Sequence, residues 1–487
     1  MKKFSGKLIS GLCSAALAAS MMSIAVSAEG GNVNSFEADS STVKCIGRTY
    51  RTDDSLYLTY SASGVEFTCT GSKVRFNLHQ GGDSTRVAVY VNGKLSTAGK
   101  VSKKAKKPVI DVQLEEGENT VKLIKLSESA NSILAIDSIE VDGEEIKPTA
   151  AKAHSIEIIG DSITCGYGVD GTLKEKFSTK NENAAKTYGY LTAQALDADY
   201  SLVSVSGSGI ISGYTGGANK NVANLMPPVY ENLCFTWSWI DGACPKDIKW
   251  DFSQYQPEAV VINLGTNDHS YTKGDEAKCK EYADGYVEFI KTVRKNNPDA
   301  AIVCSLGVMG QELYPSIEQA VEAYKTETND TNVYAFEFNN QNADANGYGV
   351  DYHPSEQSHI EAAEELTSEL SELLGWEKVE VTESGMAGYD KASDAEYVDD
   401  PNAPDDSSSQ SSSSESAADS SSQTASESSS ESSTDTSSSK ADSSSKANSS
   451  SKAASGSTTT NPSTGAAAGL AAVAVLGGAM IAIKKRK

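Results

Sequence analysis

The chain has 487 residues and carries a formal net charge of −24 at pH 7. This length predicts two folded domains with additional segments. Because a nucleic-acid backbone is bound by clustered lysine and arginine side chains, the acidic balance argues against a nucleic-acid partner. We interpret the excess of acid as a solvated surface and an acidic tail.

Residues 1–28 have the organisation of a secretory signal peptide. Lysines at positions 2, 3 and 7 precede an apolar stretch at 12–26, and small residues at 26 and 28 stand directly before Glu29. This order predicts cleavage after Ala28. An N-terminal membrane anchor is the alternative, and it is disfavoured because the apolar stretch is short and contains serines.

Residues 35–148 alternate between apolar and polar residues in short stretches. This period of two, with turn residues such as Asn92-Gly93 between the stretches, predicts about seven strands and no helix. The expected strands are 55–60, 64–69, 73–78, 86–91, 108–113, 120–126 and 133–141. Such a pattern predicts a β-sandwich, for which sugar binding and packing beside a second domain are both open roles.

Residues 152–376 follow a different rhythm, in which apolar strands alternate with helices. The expected strands are 155–159, 200–205, 259–264, 301–306 and 333–338. Apolar residues fall on one face of 277–297 and of 355–374, and Ser355 is a suitable N-cap for the second of these helices. The alternation predicts a doubly wound, mostly parallel α/β sheet with ligands at the carboxyl ends of its strands.

Residues 377–460 turn acidic and then consist almost wholly of serine with scattered charges, which predicts a disordered stalk. The pentapeptide Asn461-Pro462-Ser463-Thr464-Gly465 comes next. It is followed by 18 uncharged residues at 466–483, just enough to span a bilayer, and by four basic residues.

Segment 461–487 resembles the sorting signal of Gram-positive cell-wall proteins. The resemblance implies a sortase as partner, attachment of Thr464 to cell-wall peptidoglycan, and membrane contact only through this signal. A plain C-terminal membrane anchor is the alternative. Both interpretations predict a secreted protein held at the cell surface.

The cysteines do not form a recognisable framework. Of the eight, Cys13 leaves with the signal peptide, and the remaining odd number is scattered along the chain. Cys45 with Cys69, or Cys234 with Cys244, could pair, and free thiols are equally compatible with the spacing. No His or Cys cluster has the spacing of metal ligands, so we expect neither a metal nor another cofactor.

Four polar stretches lie where the α/β pattern places strand ends or the start of the last helix. Gly160-Asp161-Ser162 follows the first strand, 205–209 follows the second, and 263–268 follows the third. Residues 349–354 precede the last helix. Because the carboxyl ends of parallel strands share one edge of the sheet, we expect these stretches to meet there.

Together these stretches contain the groups that acyl transfer requires: a nucleophile, a base, a group that orients the base, and donors for the oxyanion. Ser162 is the expected nucleophile and His353 the expected base. Asp351 is the candidate orienting residue, with a backbone carbonyl of the same turn as the alternative. The expected oxyanion donors are the backbone N–H groups of Ser162 and Gly207 and the side chain of Asn267.

The motifs Gly160 to Gly168, Asn263 to Asp268 and Asp351-Tyr352-His353-Pro354-Ser355 resemble those of the SGNH (GDSL-type) hydrolases. The nearer resemblance is to the second carbohydrate esterase family, and it covers residues 35–376. It implies a jelly-roll sandwich followed by a flavodoxin-like hydrolase domain, deacetylation of plant polysaccharides, and no metal. In the wider superfamily the aspartate stands three residues before the histidine, a position held here by Val350.

Substrate contacts are expected from the long stretch 210–251, which can build one wall of a cleft. Its large aromatic residues are Tyr214, Tyr230, Trp237, Trp239 and Trp250. We expect one or two of them to contact sugar, with Tyr214 and Trp237 as the candidates.

These observations predict a secreted, surface-anchored esterase that removes acetyl groups from an acetylated polysaccharide. A short-chain lipid esterase or thioesterase of the same fold is one alternative. A non-catalytic sugar-binding surface protein is another, which the presence of Ser162, Asn267 and His353 disfavours.

Overall fold

The structure is a computed structural model that describes residues 33–240, 242–381, 385–386 and 389–401. They belong to the first of two compact units of the chain, Met1–Ser408. The expected signal peptide at 1–28 and the expected sorting signal at 461–487, with its span at 466–483, lie outside the described residues. Among the helices that are described, none combines the length and apolar character needed to cross a membrane.

Residues 34–148 form two sheets with antiparallel pairing. Their strands are β1 (Asn34–Phe36), β2 (Lys44–Ile46), β3 (Thr49–Arg51), β4 (Leu56–Leu58), β5 (Gly64–Thr70), β6 (Lys73–Gly82), β7 (Thr85–Val91), β8 (Lys94–Val101), β9 (Val109–Gln113), β10 (Glu118–Lys125), β11 (Ser132–Val141) and β12 (Ile146–Pro148). One sheet has the order β3-β4-β11-β6-β9 with β1 on β11, and the other contains β12-β5-β10-β7-β8 with β2 on β5.

The two sheets face each other across an apolar core, which confirms the predicted β-sandwich. Phe67 of β5 and Phe76 of β6, one from each sheet, are fully buried with ring centroids 6.1 Å apart. The seven predicted strands are all present. Strands β1, β2, β3 and β12 were not predicted, because three residues are too few to show an alternating pattern. Strand β8 was not predicted either, because the polar and small residues after the Asn92-Gly93 turn have little strand propensity and are held by pairing with β7.

Residues 154–374 form a parallel five-stranded sheet with helices between its strands. The strands are β13 (His154–Gly160), β14 (Ala198–Ser204), β15 (Ala259–Asn263), β16 (Ala301–Leu306) and β17 (Val333–Glu337), in the order β14-β13-β15-β16-β17. This is the flavodoxin-like order, so the predicted doubly wound sheet is confirmed. The strand order reverses between β13 and β15, which is where such sheets bind ligands.

The helices of this domain follow the predicted apolar faces. They are α1 (Ser162–Cys165), α2 (Tyr188–Ala195), α3 (Pro227–Tyr230), α4 (Thr266–Thr272), α5 (Glu276–Asn296), α6 (Tyr314–Thr328), α7 (Ala343–Asn346) and α8 (Glu356–Leu374). In α5, five residues of the predicted apolar face are all buried, namely Tyr282, Tyr286, Phe289, Ile290 and Val293. Ser355 caps α8 as expected, since its hydroxyl accepts the Ser358 N–H.

The sandwich and the α/β domain share a continuous interior. Arg48, between β2 and β3, is 1% exposed and donates from Nη1 to the carbonyls of Tyr230 (2.6 Å) and Asn232 (2.8 Å). Its Nη2 lies 3.5 Å from the buried carboxylate of Glu157 on β13. Removing one partner of such a buried pair leaves an uncompensated charge, so this contact ties the two domains together. The packing role that the sequence left open for the sandwich is therefore present.

The prediction of a disordered stalk from residue 377 is wrong for its first part. Strand β18 (Ala395–Tyr397) pairs in parallel with β8 of the sandwich. Asp394, directly before it, accepts from the buried guanidinium of Arg86 at 2.8 Å, and Asp400 accepts from Arg75 at 2.5 Å. The aspartates that suggested a solvated tail instead neutralise arginines of the sandwich.

Candidate active site

The candidate nucleophile stands at the carboxyl end of β13. The strand ends at Gly160, and Asp161 then caps α1 by accepting the Ile163 N–H at 3.0 Å. Ser162 is therefore the first residue of α1, and it is 8% exposed. A Cβ at position 160 would lie 2.0 Å from the Thr164 hydroxyl, so the turn that presents Ser162 requires glycine there.

Ser162 and His353 meet as the sequence predicted, although they are 191 positions apart. The His353 Nε2 lies 2.8 Å from the Ser162 Oγ, and its Nδ1 lies 3.1 Å from the Val350 carbonyl. A carbonyl can only accept, so Nδ1 must carry the proton, and Nε2 is left as the acceptor for the serine hydroxyl. This is the tautomer that a general base for Ser162 requires.

The Nδ1 partner differs from the one that the sequence favoured. The Asp351 carboxylate is exposed and accepts from the Tyr167 hydroxyl at 2.9 Å, while the Val350 carbonyl occupies the position at Nδ1. Val350 is fully buried, and its N–H donates to the Gly168 carbonyl at 3.0 Å, so the position of its carbonyl is fixed by packing. Asp351 and Tyr352 have left-handed backbones with φ of 51° and 67°.

Sequence reasoning missed a contribution from Tyr167. Its ring packs on the His353 imidazole with centroids 4.3 Å apart, and its other neighbour Phe177 stacks on it at 3.9 Å. Together with its hydroxyl bond to Asp351, Tyr167 holds the turn that carries His353. The residue lies inside the motif Gly160 to Gly168, so its neighbourhood was recognisable from the sequence, but its contact was not.

We expect Asp351→Asn to reduce kcat by about tenfold or less, far below the ~10⁴-fold loss that follows when the aspartate of a Ser-His-Asp triad becomes asparagine. The reason is that Asn can still accept the Tyr167 hydroxyl, while the Val350 carbonyl continues to orient Nδ1. Steady-state kinetics of the folded variant check this, with Tyr167→Phe as the matched loss of the same hydrogen bond. A loss approaching ~10⁴-fold in Asp351→Asn alone would restore the carboxylate as the orienting group.

Burial lowers the pKa of His353 to about 4, against opposing contributions from the Val350 carbonyl and the charge of Asp351. A general base must be neutral to accept a proton. We therefore expect kcat/KM to stay level as the pH falls from about 7 to about 5 and to decline only through about pH 4. Because the folded imidazole binds fewer protons than the unfolded one between these pKa values, it also lowers stability as the pH falls from 6.5 towards about 4.

An initial-rate pH profile tests this expectation. The same profile for Asp351→Asn tests whether the decline at acidic pH, the acidic limb, reports the titration of His353. Removing the negative charge that raises the pKa of His353 should move the limb to lower pH. An acidic limb centred at the ordinary histidine pKa, unmoved by this substitution, would contradict the expectation.

The candidate oxyanion donors lie on loops that are bonded to one another. Gly207 has φ of 78°, a left-handed conformation that favours glycine. The Asn267 Nδ2 donates to the Ser208 carbonyl at 2.9 Å and to the Asp161 Oδ2 at 2.8 Å. Asn267 therefore links the turn of Ser162 to the loop of Gly207. Since both amide hydrogens are engaged, donation to an oxyanion requires one of these bonds to be shared with the substrate.

The two buried aspartates of the site, Asp161 and Asp268, serve as braces. Asp268 accepts backbone N–H groups from Ile210, Ile211 and Ser212 at 2.8 to 2.9 Å, which holds the start of the long insertion. Burial raises the pKa of Asp268 to about 6 and that of Asp161 to about 7.

The five candidate aromatic residues divide into two groups. Tyr230 and Trp250 are buried near Arg48 and belong to the core. The other three are exposed, to 46% for Tyr214, 66% for Trp237 and 61% for Trp239. Only these three can present a ring face to a ligand.

The two candidates for sugar contact, Tyr214 and Trp237, have different surroundings. The Tyr214 N–H donates to the Gly207 carbonyl at 2.9 Å, which places this residue beside the candidate oxyanion loop. The Trp237 N–H donates to the Ala130 carbonyl of the sandwich at 3.0 Å. The Lys246 Nζ lies 4.4 Å from the centre of the Trp237 ring, so a cation accompanies that ring.

Comparison with known proteins agrees with this architecture. Residues 156–366 match the GDSL-like lipase/acylhydrolase family, and residues 45–149 match the carbohydrate esterase 2 N-terminal family. A family two carbohydrate esterase from Clostridium thermocellum, solved with cellohexaose, is 31% identical with a TM-score of 0.61, covering 69% of this chain and 99% of that one. The chain belongs to the family 2 carbohydrate esterases. The resemblance inferred from the motifs is thereby confirmed, and the family is one of carboxylic ester hydrolases.

Two further relatives of this esterase chain have described activities. The cellulase/esterase CelE of Acetivibrio thermocellus is 34% identical over 334 residues, which cover 65% of this chain and 38% of that protein. An acetylxylan esterase/glucomannan deacetylase of Cellvibrio japonicus is 29% identical over 337 residues, covering 69% of this chain and 89% of that protein. The chain thus spans about two fifths of the first relative and most of the second.

Proposed function

We propose that the chain is an acetyl esterase that removes O-acetyl groups from a polysaccharide. The observation that carries the proposal is the 2.8 Å contact between the Ser162 Oγ and the His353 Nε2, with the Val350 carbonyl at Nδ1. The acetylxylan and glucomannan activity named for the Cellvibrio relative supplies the substrate class.

In this mechanism Ser162 attacks the acetyl carbonyl carbon while its proton moves to the His353 Nε2. The resulting oxyanion accepts hydrogen bonds from the backbone N–H groups of Ser162 and Gly207 and from Asn267. Collapse of the intermediate breaks the bond to the sugar oxygen, which takes the proton from His353 and leaves as a hydroxyl. Water, deprotonated by His353, then releases acetate from Ser162 by the same sequence in reverse.

We assign sugar binding to the exposed rings of Tyr214 and Trp237. Tyr214 is joined through its backbone to the oxyanion loop, so a sugar contacting its ring would lie near the acyl group. Trp237 offers a second exposed ring on the segment bound to the sandwich. A flat aromatic face suits the C–H face of a pyranose better than a flexible acyl chain, which favours carbohydrate over lipid esters.

Acetate release distinguishes the candidate functions. Acetylated xylan and glucomannan should release acetate with the wild type, and aryl esters should lose activity steeply as the acyl chain lengthens. Preference for long acyl chains would support the lipid esterase instead. Binding of deacetylated polysaccharide without acetate release would support the sugar-binding protein, and Ser162→Ala is the matched control for every assay.

We also propose that the protein is secreted and joined to the cell wall through Thr464. The support is the sequence of the pentapeptide Asn461 to Gly465, the uncharged stretch and the basic residues after it. Mass spectrometry of wall digests should find a peptide that ends at Thr464 with an attached wall fragment. A mature protein that retains residues 466–487 would instead support the plain membrane anchor.

A further inference from the structure

One side chain of the sandwich reaches the loops of the candidate active site. Glu128 lies between β10 and β11 and is 3% exposed. Its Oε2 accepts the Ser206 N–H at 2.8 Å and lies 3.7 Å from the Cys165 Sγ. A single carboxylate oxygen of the first domain therefore contacts two segments of the second.

Both segments carry candidate catalytic groups. Cys165 is the last residue of α1, which begins with Ser162. Ser206 directly precedes Gly207, whose N–H is a candidate oxyanion donor. Asn224 holds the next peptide unit, because its Nδ2 donates to the Ser206 carbonyl at 2.9 Å. Glu128 and Asn224 thus hold two consecutive peptide units, and the second of these contains the Gly207 N–H.

The position of Glu128 is itself fixed by buried contacts. The Lys125 Nζ donates to the carbonyls of Ser127 (2.5 Å) and Glu128 (2.8 Å), and the Ser129 hydroxyl donates to the Phe235 carbonyl. Burial raises the pKa of Glu128 and lowers that of Lys125 to about 8. A buried acceptor whose own segment is held by such contacts can fix a neighbouring loop.

We propose that Glu128 is a positioning residue, which accepts the Ser206 N–H and thereby holds the oxyanion loop in the orientation that catalysis requires. The inference rests on the proposed function, because it concerns the same site. It assigns the sandwich a part in the reaction, whereas the alternative is that Glu128 only joins the domains. Glu182 and Cys165 also approach Glu128, and the charge of Lys125 opposes the rise that burial causes in the pKa of Glu128.

Two substitutions separate the acceptor geometry from the charge. Glu128→Gln removes the charge and keeps an oxygen at the same reach, so kcat should stay within about threefold of the wild type. Glu128→Asp keeps the charge and withdraws the oxygen by one methylene. It should lower kcat by about 10- to 100-fold with KM unchanged, less than the ~10²–10³-fold cost of losing an oxyanion donor itself.

Lys44→Met provides the matched control for domain joining. Lys44 on β2 pairs with Asp199 of β14 at 2.9 Å, and Asp199 lies at the opposite end of that strand from Ser206. This variant should lower Tm and leave kcat unchanged. If Glu128→Asp behaves like Lys44→Met, the proposal is overturned. It is also overturned if Glu128→Gln is impaired while Glu128→Asp is not.

The second readout is the rate at which an aryl phosphonate modifies Ser162, since the phosphoryl oxygen occupies the oxyanion position. Glu128→Asp should be modified more slowly than Glu128→Gln, Lys44→Met and the wild type, and equal rates would contradict the proposal. This assay needs no acetylated sugar. If the wild type reacts with the phosphonate but releases no acetate, the proposed substrate fails while the order of the variants still tests the role of Glu128.

Discussion

Ser162→Ala is expected to abolish ester hydrolysis, with a fall in kcat on the order of 10⁶-fold, comparable to the loss of the nucleophile in a serine protease. In the proposed mechanism the Oγ forms the acyl bond, and it lies 2.8 Å from the His353 Nε2, which is placed to accept its proton. The kcat of His353→Ala should fall by a similar factor, because the effects of substituting residues that act as a unit are not additive. The double variant should therefore be no slower than either single variant.

The substitution should leave the fold intact. The Asp161 cap acts on the Ile163 N–H and does not involve the Ser162 hydroxyl. Unchanged circular dichroism and Tm, together with lost hydrolysis and retained binding of polysaccharide, would fit the expectation. Turnover of the purified variant near the wild-type rate would remove Ser162 from the mechanism.

Asn267→Ala is expected to lower kcat by about 10²–10³-fold, the usual cost of removing a side-chain oxyanion donor. KM should change little, because the lost bond is made to charge that develops only in the transition state. The structure adds a second effect, since the same amide braces Asp161 and the Ser208 carbonyl.

Asn224→Ala separates bracing from donation. Asn224 also holds this loop, through the Ser206 carbonyl and the Ser208 hydroxyl, and it has no expected contact with the oxyanion. If Asn267 is a donor, Asn267→Ala should lower kcat by a factor at least about tenfold larger than Asn224→Ala does. Equal losses in both variants would show that Asn267 acts as a brace alone.

The local patterns of the sequence predicted most of the fold. Period-two alternation located the seven strands of the sandwich that carry its core, and apolar runs located every strand of the parallel sheet. The strands it missed were β1, β2, β3 and β12, which at three residues are too short to show an alternating pattern, and β8 and β18, which are held by neighbouring strands. His359 of α8 is fully buried, with its Nδ1 accepting the Tyr188 N–H at 3.2 Å, a contact that the apolar pattern of this helix does not indicate.

The sequence by itself determined the order of the two domains, the strand-end positions of Ser162 and Asn267, and the selection of His353 as the candidate base. These follow from periodicity and from residue types that lie next to one another along the chain. Only the tertiary structure decided that the Val350 carbonyl contacts Nδ1, that Tyr167 packs on the imidazole, and that Glu128 reaches Ser206. The Glu128 contact joins residues 78 positions apart across two domains, and the Nδ1 partner depends on how one turn packs against Gly168. No local pattern of residues specifies either contact.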